Sequence, residues 1–109
     1  MYRLFVMTKE FDTKWNQLGL TDDDLLNLQK RLGEYPEAGS IIVGTGGVRK
    51  IRVQAHGKGK SGGARVCYID YVTKEKIYLL TAYGKDEKDN LSLEERAAIK
   101  EVVKLLKNN

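Results

Sequence analysis

Residues 64–83, ARVCYIDYVTKEKIYLLTAY, form two runs rich in Val, Ile and Tyr around the polar triplet Thr73-Lys74-Glu75. Branched and aromatic side chains suit a pleated, half-buried surface, and a short polar interruption suits a hairpin turn. The stretch therefore predicts strands over 64–72 and 76–83, paired antiparallel. Just upstream, residues 49–54 alternate, with Ile51 and Val53 on one face and Lys50 and Arg52 on the other. Residues 2–7 are nearly all apolar and read as a buried strand. Thr8 and Thr21 stand where helix N-caps belong. Phe11, Trp15 and Leu18 share one face of the first helix, which Gly19 ends. Leu25, Leu28 and Leu32 share one face of the second, which opens on Asp22, Asp23 and Asp24 and closes at Gly33 and Pro36. Ser92-Leu93-Glu94-Glu95 is a capping box ahead of a last helix with Ile99, Val102, Val103 and Leu106 inward. The predicted layout is β-α-α-β-β-β-α, one α+β domain over 1–109.

The charge is segregated. Between Ala38 and Ile69 stand Arg49, Lys50, Arg52, Lys58, Lys60 and Arg65, eight glycines and no acid. Those are six of the chain's 19 Lys and Arg; the remaining 13 face 15 Asp and Glu, so the rest of the chain is slightly acidic although the whole carries +4. A concentrated positive patch implies an anionic partner, most often a phosphate backbone, and glycines let backbone N–H groups come close to it. With the strands adjacent and antiparallel, Lys50, Arg52, Arg65 and Tyr83 converge at one end of the sheet. The loop 55–63, with His56, Lys58 and Lys60, hangs over that end. Cations with an aromatic ring suit a single-stranded nucleic acid.

Other chemistries fit poorly. Gly59-Lys60-Ser61 matches the tail of a P-loop, but Gln54 stands at its first glycine. Gly57-x-Gly59-x-x-Gly62 matches a dinucleotide pattern, yet a strand follows where a helix is needed. His56 is the only histidine, which excludes a two-His zinc site; in its glycine-rich loop it reads as an exposed residue or an RNA contact rather than as a general acid or base. Cys67, alone and inside a strand, reads as a small buried hydrophobe. Asp86, Glu87 and Asp89 read as a polar turn without calcium-loop spacing. No apolar run is long enough to span a membrane, and the first residues are too short for a signal peptide and lack its cleavage site, so a cytoplasmic location is expected.

Three blocks together resemble a known family: Gly44-Thr45-Gly46-Gly47-Val48-Arg49-Lys50-Ile51-Arg52, Gly57-Lys58-Gly59-Lys60-Ser61-Gly62-Gly63-Ala64-Arg65, and Tyr78-Leu79-Leu80-Thr81-Ala82-Tyr83-Gly84-Lys85, with Pro36-x-x-Gly39 ahead of them. They look like the RelE superfamily, closest to its HigB-like toxins, over almost the whole chain. The resemblance implies a small twisted antiparallel sheet flanked by two N-terminal helices and one C-terminal helix. It implies a bacterial toxin of a type II toxin–antitoxin pair that enters the ribosomal A site and cuts mRNA there without metal or other cofactor. The implied partners are a cognate antitoxin, the small-subunit rRNA and mRNA. The family's two basic residues flanking one apolar residue match Lys50-Ile51-Arg52, its strand-initial Arg matches Arg65, and its Gly-Lys matches Gly84-Lys85. The family's next Arg is Asp86 here, and no Tyr follows Lys85, so Tyr83 stands in for it.

The catalytic candidates are thus Arg65, Lys85, Tyr83, Lys50 and Arg52, with Arg49, His56, Lys58 and Lys60 expected on RNA. Metal-free cleavage uses the substrate's own 2′-OH, and fixed cations stabilise the charge that grows on phosphorus-bound oxygens. A Tyr or Lys base with an ordinary pKa near ~10 is weak at neutral pH, and crowding by cations would lower it. Two alternatives carry the same patch: a non-catalytic RNA- or DNA-binding module, and a ParE-like gyrase poison. ParE-like proteins generally lack the patterned basic cluster, which favours the nuclease.

Overall fold

Local signals set the element boundaries in a computed structural model that describes residues 3–54 and 63–108. Strand β1 is Leu4–Met7, α1 is Lys9–Gln17 and α2 is Asp22–Glu34. They are followed by β2 (Ser40–Ile41), β3 (Arg49–Val53), β4 (Ala64–Tyr71), a 3-10 turn at Val72–Lys74, β5 (Lys76–Gly84) and α3 (Leu93–Lys107). The Thr8 hydroxyl accepts from Phe11 N (3.0 Å) and donates to the Leu80 carbonyl (2.8 Å), so the cap of α1 also ties that helix to β5. Thr21 with Asp24, and Ser92 with Glu95, form complete capping boxes. Each satisfies amides that a helix start leaves unpaired. Helix α2 runs through Gly33 and ends just before Pro36.

The five strands lie in the order β1-β5-β4-β3-β2. The β4–β5 hairpin is antiparallel, and its turn closes on Glu75 in the left-handed region at φ 55°. β3 pairs antiparallel with β4, and the two-residue β2, which has no sequence signature, pairs with β3. β1 departs from expectation twice. It pairs parallel with β5, which makes the sheet mixed, and it is an edge strand rather than a buried one, with Leu4 49% exposed. Phe5 and Met7 pack against the core under α1 and α2 and Val6 against the core under α3, so partial cover on both faces explains its apolar composition.

Each face of the sheet has its own core. Helices α1 and α2 bury Phe11, Trp15, Leu28 and Leu32 against Ile51, Val66, Tyr68, Ile77 and Leu79, with Phe11 stacked on Trp15 at 5.3 Å. Helix α3 buries Ile99 and Val103 against Val48, Cys67, Ile69, Tyr78 and Leu80. A bulge decides which core Tyr83 joins. Cys67 faces Thr81 while Tyr68 faces Leu79, so Leu80 is the extra residue. Counting by twos from Ile77 would put Tyr83 under α1 and α2; the bulge turns it to the α3 side instead, with Tyr78 and Leu80.

Candidate nucleic-acid interface

Register builds the site. Arg52 lies opposite Arg65 across β3 and β4, and Arg65 lies opposite Tyr83 across β4 and β5. Lys50 stands two residues back on β3, on the same face. Four of the five catalytic candidates therefore lie together at one end of the α3 face, where Tyr83 packs into the α3 core while Lys50 and Arg65 are half-buried and Arg52 is exposed. Two like charges directly opposite one another on a sheet are unfavourable. An anion between them reverses that sign.

Lys50 is anchored by neutral groups. Its Nζ donates to Asn90 Oδ1 (2.8 Å) and to the Asp89 carbonyl (3.3 Å). The fifth candidate, Lys85, follows the end of β5. Its backbone N donates to the Gly63 carbonyl (3.3 Å) and its residue is exposed. Gly63 is required there: its φ is +54°, and a Cβ would come within 2.2 Å of the Val53 carbonyl oxygen. The chain thus enters β4 pressed against the end of β3, which sets Arg65 beside Arg52.

Tyr83 is not arranged as an exposed stacking ring or a primed base. It is 3% exposed, its hydroxyl donates to the Asp89 carbonyl (3.4 Å), and Lys88 Nζ lies 5.3 Å from its ring centroid. Burial pushes its hydroxyl up to about 12 and outweighs the opposing pull of Arg65. Cation crowding was expected to lower it; the loss of solvent around the phenolate is the larger effect.

Arg49 lies elsewhere. It shares its parity with Ile51 and Val53, so it points to the α1–α2 side, and its Nη1 donates to the carbonyls of Gly39 (2.7 Å) and Glu37 (3.4 Å). There it fastens the chain ahead of β2. His56, Lys58 and Lys60 lie outside the described residues.

The segment after β5 contributes groups that a reading as a solvated polar turn passes over. Lys88 is ion-paired with Glu95, and Glu87 lies 4.0 Å away. Lys88 and the Ser92 backbone N–H together hold the Glu95 carboxyl below its usual range. No local motif marks Lys88, Asp89 or Asn90; their roles come from contact with strands distant in sequence. A groove of about 410 Å³ between α1 and α3 opens on the other side of Tyr83, with Thr81, Leu91 and Ile99 in its wall, and neither Lys50, Arg52 nor Arg65 lines it. Among the described residues no helix is long and apolar enough to cross a membrane.

Fold and site together define a small α+β protein that gathers positive charge at one end of a sheet face. Residues 3–109 match the family described as the RelE toxin of the RelE/RelB toxin–antitoxin system, and the chain belongs to that family. A double arginine-to-alanine variant of the E. coli toxin RelE in the free state shares the fold at a TM-score of 0.57 and 18% identity, over 82% of this chain and 90% of that one. The isolated E. coli RelE toxin does so at 0.52 and 21%, over 92% and 98%. A chain of the intact E. coli RelBE toxin–antitoxin complex does so at 0.53 and 20%, over 75% and 95%. At these identities the likeness establishes the fold.

Proposed function

We propose that this chain is a ribosome-dependent endoribonuclease, the toxin of a toxin–antitoxin pair, cleaving mRNA by attack of the substrate's own 2′-OH. The observation that carries the reading is the cross-strand row Arg52, Arg65 and Tyr83 with Lys50 beside it on the α3 side of the sheet, Arg52 exposed and Lys50 and Arg65 half-buried. In the reaction the bond from O2′ to phosphorus forms and the bond from phosphorus to O5′ breaks. The products are a 2′,3′-cyclic phosphate and a 5′-OH. The 2′-OH proton leaves to solvent, and the 5′ oxygen gains one.

Arg65 sits on a rigid strand, as a charge-stabilising group should. With Lys85 it is assigned to the phosphorane oxygens, where one well-placed donor contributes roughly 3–4 kcal/mol on the oxyanion-hole scale. Lys50 and Arg52 hold the adjoining phosphates. His56, Lys58 and Lys60 are assigned to mRNA and ribosomal RNA on the sequence alone. Tyr83, closed off and with a raised pKa, takes a supporting part as the donor that steadies Asp89. The E. coli complex of RelE with RelB supports an antitoxin as the other partner, and the cationic face calls for an acidic segment in it.

A second reading, an RNA-binding module that does not cut, is favoured by one observation: the hydroxyl best placed to act as a base is buried and pushed up to about 12. Purified protein is to be incubated with an mRNA alone and with the same mRNA in a translating extract. Cleavage confined to the extract, with cyclic-phosphate ends, supports the nuclease. Binding to ribosomes without cleavage supports the binder. Equal cleavage of naked RNA contradicts the ribosome requirement.

A further inference from the structure

Two lysines are held at the segment that follows β5, Lys50 from β3 and Lys88 from the segment itself, and their partners differ in charge. Lys88 is paired with the Glu95 carboxylate, with Glu87 at 4.0 Å, and its charge is locally cancelled. Among the described residues Lys50 has two partners, the Asn90 side-chain oxygen at 2.8 Å and the Asp89 carbonyl at 3.3 Å, and both are neutral. Neutral acceptors fix an ammonium group in space and leave its full charge for an anion; a carboxylate fixes it and spends that charge. Asp89's carbonyl also receives the Tyr83 hydroxyl at 3.4 Å, so the backbone that holds Lys50 is itself held to the row.

We propose that Asn90 is the positioning residue of the site: its neutral side-chain oxygen aims the Lys50 ammonium at an RNA phosphate while preserving its charge. The inference rests on the reading of Lys50 as a phosphate-binding group. A flexible four-carbon stem places a charge poorly by itself, and a small misplacement of a charged group can cost up to ~10²-fold in rate. Asn90 is exposed, so its replacement leaves the cores intact. Asp89 offers Lys50 its backbone, whereas a carboxylate at 90 would stand where Asn90 Oδ1 now accepts.

The test uses the full chain with mRNA-programmed ribosomes and four proteins: wild type, Lys50→Ala, Asn90→Ala and Asn90→Asp. Affinity is measured against salt, cleavage is measured on the same mRNA, and the Lys50 ammonium is followed in a proton–nitrogen correlation spectrum of lysine side chains. Lys50→Ala is expected to weaken binding and to reduce the salt slope by about one, for one lost phosphate contact. Asn90→Asp is expected to reduce the slope by the same amount although Lys50 is still present. Asn90→Ala is expected to keep the slope, lower cleavage roughly 10-fold, and lose the slowly exchanging Lys50 ammonium signal. Wild-type slope and cleavage in Lys50→Ala overturn the phosphate-binding reading. A normal Asn90→Ala rate and an Asn90→Asp slope equal to wild type, with Lys50→Ala impaired, overturn the role of Asn90 alone. The ammonium spectrum of the free protein settles the positioning contact whatever the nuclease assay gives.

Discussion

At one end of the sheet, two adjacent rows of residues meet opposite fates. Val53, Ala64 and Gly84 face one another across β3, β4 and β5 and are buried, on the side that α1 and α2 cover. One residue along, Arg52, Arg65 and Tyr83 face one another on the α3 side; Tyr83 is buried in the α3 core, Arg65 is half-buried and Arg52 exposed. The same three strands thus carry a closed core and a cationic surface back to back. The buried row holds the strand ends rigid, and rigidity is what a group stabilising transition-state charge needs. Stability should therefore reside in one row and activity in the other.

The largest effect expected from this division is on the covered side. Phe11 is fully buried and stacked on Trp15, so Phe11→Ala should cost about 3–5 kcal/mol of stability. Thermal denaturation checks this, and a drop of only a degree or two would break the comparison. On the α3 side, Lys50→Ala combined with Arg52→Ala should leave the melting temperature close to wild type. Ribosome binding should weaken, with a salt slope smaller by about two. A destabilised double variant would mean that the cationic row is part of the core after all.

Alkali should sharpen the comparison by reaching the α3 face through its buried acids. Burial raises Cys67 from 9.0 to about 12 and Tyr83 from 10.0 to about 12. Above pH 9 the unfolded chain gives up these protons first, so it binds fewer than the folded chain and stability falls as pH rises. The loss should run from about pH 9 to about 12 and be smaller in Tyr83→Phe. Denaturant melts across that range check it; a rise in stability there would contradict the burial of both groups. The smallest effect should be Tyr83→Phe on cleavage at neutral pH. It removes one donor from the Asp89 carbonyl and should slow the reaction only a few-fold. A loss of about 10²-fold would instead return the hydroxyl to acid–base work.

The hairpin, all three N-caps and the parity of β3 were legible in the sequence because each is decided within a few residues. Thr8, Thr21 and Ser92 cap as expected, and Lys50 and Arg52 share a face opposite Ile51 and Val53. Arg49 was misplaced: the density of charge around it put it on RNA, whereas its parity with Ile51 and Val53 sends it to the other face, onto the Gly39 and Glu37 carbonyls. What was not legible depends on distant partners. β1 is a short apolar run whatever strand it pairs with, and its parallel seat beside β5 is a tertiary fact. The bulge at Leu80 carries no glycine to announce it, yet it alone carries Tyr83 to the cationic side. The closing of Tyr83 by Lys88, and of Lys50 by Asn90, comes from a polar turn folding back on strands that precede it by up to 40 residues.

The most direct test of the cationic row as the cutting site is primer extension on a translated mRNA in cells expressing wild type or Arg65→Ala at equal soluble levels. Wild type is expected to leave cuts inside the reading frame. Arg65→Ala is expected to leave none while it melts like wild type and still binds ribosomes. In-frame cuts of equal intensity from Arg65→Ala would contradict the assignment, and the absence of cuts from wild type would contradict the nuclease itself.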